Sequence, residues 1–200
     1  MVAGRYLITM VTGMQAGDDF AAMLQAAQLG QEWAFAALYR GLNARVLRYF
    51  ASRVPDIAED LAAETWMGAA RTLGTFQGDE SGFRAWLFTI AHRRLVQHWR
   101  ESARRPPAEP SNDLDAGHTE AGEVEDSALE AVIAQQAATT IAETLTSDQA
   151  EVVLLRVLAV IDVEEVARIL GKRPGTVRGL QHKAVRKLAA TNFFLEALTQ

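Results

Sequence analysis

The stretch Asp162–Leu188, "DVEEVARILGKRPGTVRGLQHKAVRKL", decides how this chain is read. Two apolar periodic runs flank a Gly-Lys-Arg-Pro break, and basic residues crowd into the second run. Asp162 is placed to cap the first run, and Glu165, three residues on, completes a capping-box arrangement. Val163, Val166, Ala167 and Leu170 fall on the inward face of that short helix. Gly171 suits a left-handed C-cap, and Pro174 suits the first turn of the next helix. Two helices joined by a short glycine-containing turn form the helix-turn-helix pattern, whose second helix enters the DNA major groove.

In the second helix Val177, Leu180, Ala184 and Leu188 make one apolar stripe. Arg173, Thr176, Arg178, Gln181, His182, Lys183 and Arg186 lie mostly off it and are the candidate DNA-binding residues of this helix. From Arg168 onward seven basic residues face one acid, Glu196. Arginine and glutamine suit base edges, whereas lysine and a helix N-terminus suit phosphates. A merely solvated basic face would account for the charge. It would not account for the cap, the glycine turn and the proline start at matching spacing.

The whole chain is nevertheless acidic: 200 residues carry a net charge of −5, with 22% of residues charged. Segregation of charge therefore matters more than its sum. There is no cysteine, which excludes a disulfide framework and a thiolate metal site and fits a reducing cytoplasm. No apolar run approaches the roughly 18–20 residues needed to span a bilayer, so membrane insertion of this chain is not expected. Residues 1–17 read as a leader in which Met14 is an alternative start. They lack the long apolar region and small-residue cleavage site of a signal peptide.

Strand signals are nearly absent, and an all-α fold of two small helical domains is expected. The first spans residues 18–105. Asp18 and Asp19 cap a helix through Phe20, Met23, Leu24 and Ala27. A long amphipathic helix then runs from Glu32 to the break at Val54-Pro55. Asp56 starts the next, through Ile57 and Leu61 to Leu73. The glycine-rich stretch Gly74–Gly82 is a loop, and a further helix runs from Phe83 to about Ser102. Residues 106–127 form a flexible linker, because prolines and one-sign acidic charge with little apolar content cannot support packing. Residues 128–200 form the second domain, with a helix over about 128–145 and a cap at Ser147-Asp148.

The helix after the glycine-rich loop is basic. Arg84, Arg93, Arg94, Arg100, Arg104 and Arg105 face one acid, Glu101, with Phe76, Phe83, Trp86, Phe88 and Trp99 interleaved. Aromatic faces beside arginines are what unpaired bases require, although Trp86, Phe88 and Ile90 read individually as core. Asp56, Glu59, Asp60 and Glu64 concentrate the acids of this domain on one helix, as a solvated face or a docking face for a basic protein partner. No catalytic constellation is present. His92 and His98 are six residues apart and point to different helix faces, and no phosphate loop, dinucleotide turn or nucleophile elbow occurs. No cofactor and no metal site are expected.

Three blocks, "FAALYRGLNARVLRYFASRV" (35–54), "DIAEDLAAETWMGAARTLGTFQGD" (56–79) and "FRAWLFTIAHRRLVQHWR" (83–100), resemble region 2 of the extracytoplasmic-function sigma factors of bacterial RNA polymerase. "LTSDQAEVVLLRVLAVIDVEEVARILGKRPGTVRGLQHKAVRKLA" (145–189) resembles their region 4. The resemblance implies a non-enzymatic, cytoplasmic promoter-specificity factor with core RNA polymerase, promoter DNA and an anti-sigma factor as partners. It implies that Asp56, Glu59, Asp60 and Glu64 dock on the polymerase. It places Phe76, Gln77, Asp79, Arg84, Arg93, Arg94, Gln97 and Arg100 at the minus-ten element, with the Phe76–Gly82 loop taking a flipped base. The helix from Pro174 would read the minus-thirty-five element. Ala63 stands where the family commonly has glutamine, and Gly179-Leu180-Gln181-His182 replaces a common Ser-Arg-Leu-His. The competing reading is a helix-turn-helix regulator whose first domain senses a signal or dimerises, which leaves the arginine-aromatic helix unexplained.

Overall fold

The computed structural model describes residues 17–104 and 141–190, residue 142 excepted. The leader, the acidic linker, most of the helix expected over 128–145 and Glu196 lie outside the described residues. Helix α1 spans Gly17–Gln28, α2 Glu32–Ala51, α3 Ala58–Thr72 and α4 Glu80–Ser102. In the second unit α5 spans Ser147–Val153, α6 Val163–Leu170 and α7 Pro174–Ala190. There is no strand among the described residues, and the all-α expectation holds.

Several expected boundaries move, each for a local reason. α2 ends at Ala51, three residues ahead of Val54, where Arg53 and Val54 both turn back onto the Phe50 carbonyl. Asp56 does not begin an α-helix. It sits in a single 3-10 turn, Pro55–Ile57, and α3 starts at Ala58. The glycine-rich loop is shorter than expected, because Leu73–Thr75 form a second 3-10 turn and Asp79 caps α4 by accepting from the Gly82 amide. Asp18 and Asp19 lie inside the first turn of α1.

In the second unit the cap of α5 is Thr146, which forms a reciprocal box with Gln149, one residue ahead of the expected Ser147-Asp148. Asp162 caps α6 by accepting from the Glu165 amide at 2.8 Å. The Glu165 side chain pairs with Arg168 instead of closing the box. Gly171 takes the left-handed C-cap at φ 62° that its lack of a side chain permits, and Pro174 opens α7.

α1 packs on α2, α2 on α3, and α3 on α4. The first unit is cored by aromatics. Phe83 meets Phe20, Phe76 and Trp86 at ring separations of 5.8, 5.5 and 5.4 Å. Tyr49 meets Phe50 and Phe88 at 5.3 and 5.6 Å. Each fully buried ring of this kind contributes about 1.5–3 kcal/mol. The second unit is held by aliphatic side chains: Leu145, Ala150, Val153, Ala184 and Leu188 form a cluster of their own. Val152, Leu155, Ile161, Val166 and Val177 instead join a single core with Tyr49, Leu87, Phe88 and Leu95 of the first unit. α4 packs against α6, and α2 packs against the π-helical turn Leu154–Leu158 that continues α5.

Candidate nucleic-acid interface

The surface on α4 follows from helical spacing. Arg93, Gln97, Arg100 and Arg104 recur every three or four residues, and all four are exposed. The ring-filled and aliphatic positions Phe83, Leu87, Phe88, Ala91 and Leu95 hold the opposite face in the core. Together with His92, Val96 and Glu101 the exposed residues line a groove of about 540 Å³. This is a cationic ridge on a rigid backbone, the arrangement that suits phosphates.

The other residues expected beside it are placed differently. Arg84 is half-buried and paired with Glu80. Arg94 pairs with Glu64 at 3.3 Å, which joins a residue expected at DNA to one expected at a protein partner. Phe76 is half-buried with its ring on Phe83 and Trp86, and Gln77 is exposed. The carboxylate of Asp79 is committed to capping α4. The loop is pinned by a residue that the sequence did not single out: the Gln28 amide donates to the carbonyls of Leu73 and Phe76 at 3.0 and 2.7 Å. No sequence signal marks it, since Gln28 ends an unremarkable helix distant in the chain.

Asp56, in the 3-10 turn before α3, is exposed, as are Glu59, Asp60 and Ala63 on α3 itself, and Glu64 is half-buried. Met67, 51% exposed, continues the same face one turn further along. Acids flanking an exposed thioether make a mixed surface suited to a basic protein partner with an apolar patch.

On α7, Val177, Ala184 and Leu188 are buried and Leu180 half-buried, so the expected stripe is the core face. Arg178, His182 and Arg186 recur every fourth residue opposite that stripe, and all are exposed, as are Arg173, Thr176 and Lys183. Gly175 and Gly179 share this outward face, and a side-chain carbon added at either would meet nothing within 4 Å. The face is therefore low and flat between its arginines, which lets another backbone approach closely. Gln181 departs from expectation. It is half-buried and its amide oxygen accepts from Arg156 Nε at 3.3 Å, while Arg156 Nη1 holds the Ile161 carbonyl at 2.5 Å. Arg178 reaches Glu164 at 2.7 Å, an exposed pair that water screens.

Among the described residues there is no group of three or more potential ligands that could hold a metal ion, and no helix is long and apolar enough to cross a membrane.

Residues 35–105 match the family model of Sigma-70 region 2, and residues 135–188 match that of Sigma-70 region 4. The chain is 38% identical over 169 residues to the ECF RNA polymerase sigma factor BldN of Streptomyces coelicolor, an alignment covering 84% of this chain and 63% of that protein. It is 29% identical over 178 residues to the ECF RNA polymerase sigma factor ShbA of Streptomyces griseus, covering 84% of this chain and 93% of that one. A solved chain from the structure of CnrH in complex with the cytosolic domain of CnrY superposes with a TM-score of 0.56 at 24% identity, covering 86% of this chain and 96% of its own. The two family matches, which together span more than half of the chain, show a sigma factor of the sigma-70 type. Within that type the chain belongs to the extracytoplasmic-function group.

Proposed function

We propose that this protein binds core RNA polymerase and directs it to promoters, acting in the cytoplasm without catalytic activity of its own. In this reading the first unit, residues 18–105, engages the minus-ten element through the α4 ridge of Arg93, Gln97 and Arg100, with Arg84, Arg94, Gln77, Asp79 and Phe76 beside it. The second unit engages the minus-thirty-five element through Arg173, Thr176, Arg178, His182, Lys183 and Arg186, with Gln181 at the edge. Asp56, Glu59, Asp60 and Glu64 dock on polymerase. The observation that carries the reading is the presence in one chain, in family order, of both sigma-70 regions, each with an exposed cationic ridge.

The chemistry supports a division of labour. Lysine and arginine on a rigid ridge supply salt-dependent attraction to phosphates, and a few residues of α7 add discrimination between bases. An anti-sigma factor is the natural regulator in this reading, because one partner covering both α3 and α7 would block polymerase docking and upstream-element binding together.

Run-off transcription with purified core polymerase tests the function. A defined start site that requires this protein is expected, and a requirement for another sigma factor in the same mixture would defeat the reading. Asp60→Arg is expected to abolish co-purification with core polymerase while leaving the helical circular dichroism unchanged, since Asp60 is exposed on α3.

A further inference from the structure

The apolar run that starts α5 contains a carboxylate. Glu151 is only 5% exposed, and its partners come from the other unit. The Tyr49 hydroxyl of α2 donates to Glu151 Oε1. His92 Nδ1 of α4 lies 2.8 Å from the same oxygen and 3.2 Å from the tyrosine hydroxyl. Arg53, just beyond α2, has Nε 3.5 Å from Glu151 Oε2, donates from Nη2 to Ser147 Oγ at 2.7 Å, and lies 4.9 Å over the Trp99 ring. A tyrosine, a histidine and a stacked arginine thus form a carboxylate cradle on the first unit, and the second unit fills it.

The cradle is incompletely matched. Glu151 Oε2 and Arg53 Nε make an ion pair but no hydrogen bond, and both atoms are buried. A buried carboxylate with one oxygen well served and the other poorly served holds a defined geometry without contributing a large surplus of stability. That is the balance a releasable contact requires.

Closure also sets a distance. α4 touches α6, and α6 touches α7. Helices of these lengths measure about 34, 12 and 26 Å, so even laid end to end the centres of α4 and α7 would be about 42 Å apart. Elements centred about 25 base pairs apart are separated by about 85 Å along the duplex. The closed arrangement cannot place both ridges on one promoter. The 36 residues between Arg104 and Ile141 can reach about 120 Å when extended, so the chain length permits opening.

We propose that Glu151, seated between Tyr49, His92 and Arg53, is an intramolecular latch that holds the free protein closed and unable to engage both promoter elements, and that binding to polymerase opens it. What closure prevents rests on the function proposed above; the latch itself does not.

The experiment uses the full chain. With no native cysteine, Ala70→Cys on α3 and Ala189→Cys on α7, both exposed, accept a donor and an acceptor dye for energy transfer. High transfer is expected in the free protein. Glu151→Gln and Tyr49→Phe, the latter keeping the ring that packs on Phe50 and Phe88, are expected to raise the open-to-closed ratio by about tenfold or more with unchanged helical content. Core polymerase is expected to lower transfer in the unsubstituted protein. Wild-type transfer in both variants, or transfer that bound polymerase leaves unchanged, overturns the latch. Opening by substitution is read without polymerase, so a protein that opens yet never binds polymerase would overturn the proposed function and leave the latch standing.

Discussion

The two units carry the same kind of cationic ridge on unlike foundations. Behind the α4 ridge stand Phe20, Phe83 and Trp86, which fill a core private to the first unit, and Phe88 and Tyr49, whose rings the second unit's aliphatic residues also meet. Among the described residues of the second unit, 141–190, there is no Phe, Trp or Tyr behind the α7 ridge. Its private cluster is five aliphatic residues, and its larger side chains are completed by the first unit. Small domains bury too little surface to be secure by themselves. The contrast teaches that a recognition helix of this kind can be locally well formed, with its cap, turn and stripe in place, and still depend on a neighbour for much of its burial.

The largest effect that sharpens this contrast is Phe83→Ala. Phe83 is 1% exposed at the centre of the ring cluster, so about 3–5 kcal/mol of stability should be lost in denaturant unfolding, with the second unit melting in the same transition. Two separate transitions would break the idea of a borrowed core. Next is Arg178→Ala, expected to weaken binding of the polymerase complex to the upstream element by about 1–3 kcal/mol while leaving the melting temperature near that of the parent. Titration on matched and scrambled upstream duplexes measures it, and equal loss on both would reassign Arg178 from base to phosphate.

Gly179→Ala should act in opposite directions on fold and function. Its added carbon meets open space, so α7 gains about 0.5–1 kcal/mol, yet the raised face should reduce affinity for the upstream duplex. Improved stability with unimpaired DNA affinity would show that no close approach occurs there. The smallest effect concerns pH. Burial, then the charge and hydrogen bond of Glu151, push the Tyr49 hydroxyl well above its ordinary 10.0, with Arg53 opposing. A raised acid contributes stability that is full below the unfolded value and lost as pH rises above it. Closure should therefore weaken above about pH 10, and Tyr49→Phe should remove that part of the pH slope, with Glu151, Arg53 and His92 still facing the site.

Much of this was legible in the chain because local chemistry carried it. The Asp162 cap, the Gly171 turn, the Pro174 start and the α7 stripe all depend on neighbours within a few residues, and all four are present. Boundaries that depend on tertiary context were not legible: α4 begins at Glu80, capped by Asp79, rather than at Phe83, and Thr146 rather than Ser147 caps α5. Ion pairing was likewise hidden. Nothing in the spacing of α3 or α4 announces that Glu64 meets Arg94, or that Arg156 draws Gln181 inward. Glu151 shows the limit most clearly. A carboxylate within an apolar run looks like a solvated interruption, and only the approach of Tyr49, more than a hundred residues earlier in the chain, gives it a buried role.

The stacking of Arg53 on Trp99 has an optical consequence. All four tryptophans, Trp33, Trp66, Trp86 and Trp99, belong to the first unit, and the Trp99 ring has a cationic neighbour, Arg53, tethered to the second through Ser147. Indole emission responds to a nearby guanidinium and to water, so the unlabelled protein carries its own fluorophore at the seam. Separation of its halves should register as a change in the Trp99 contribution to the emission, isolated by comparison with a Trp99→Phe variant and readable in a cuvette on the timescale of mixing.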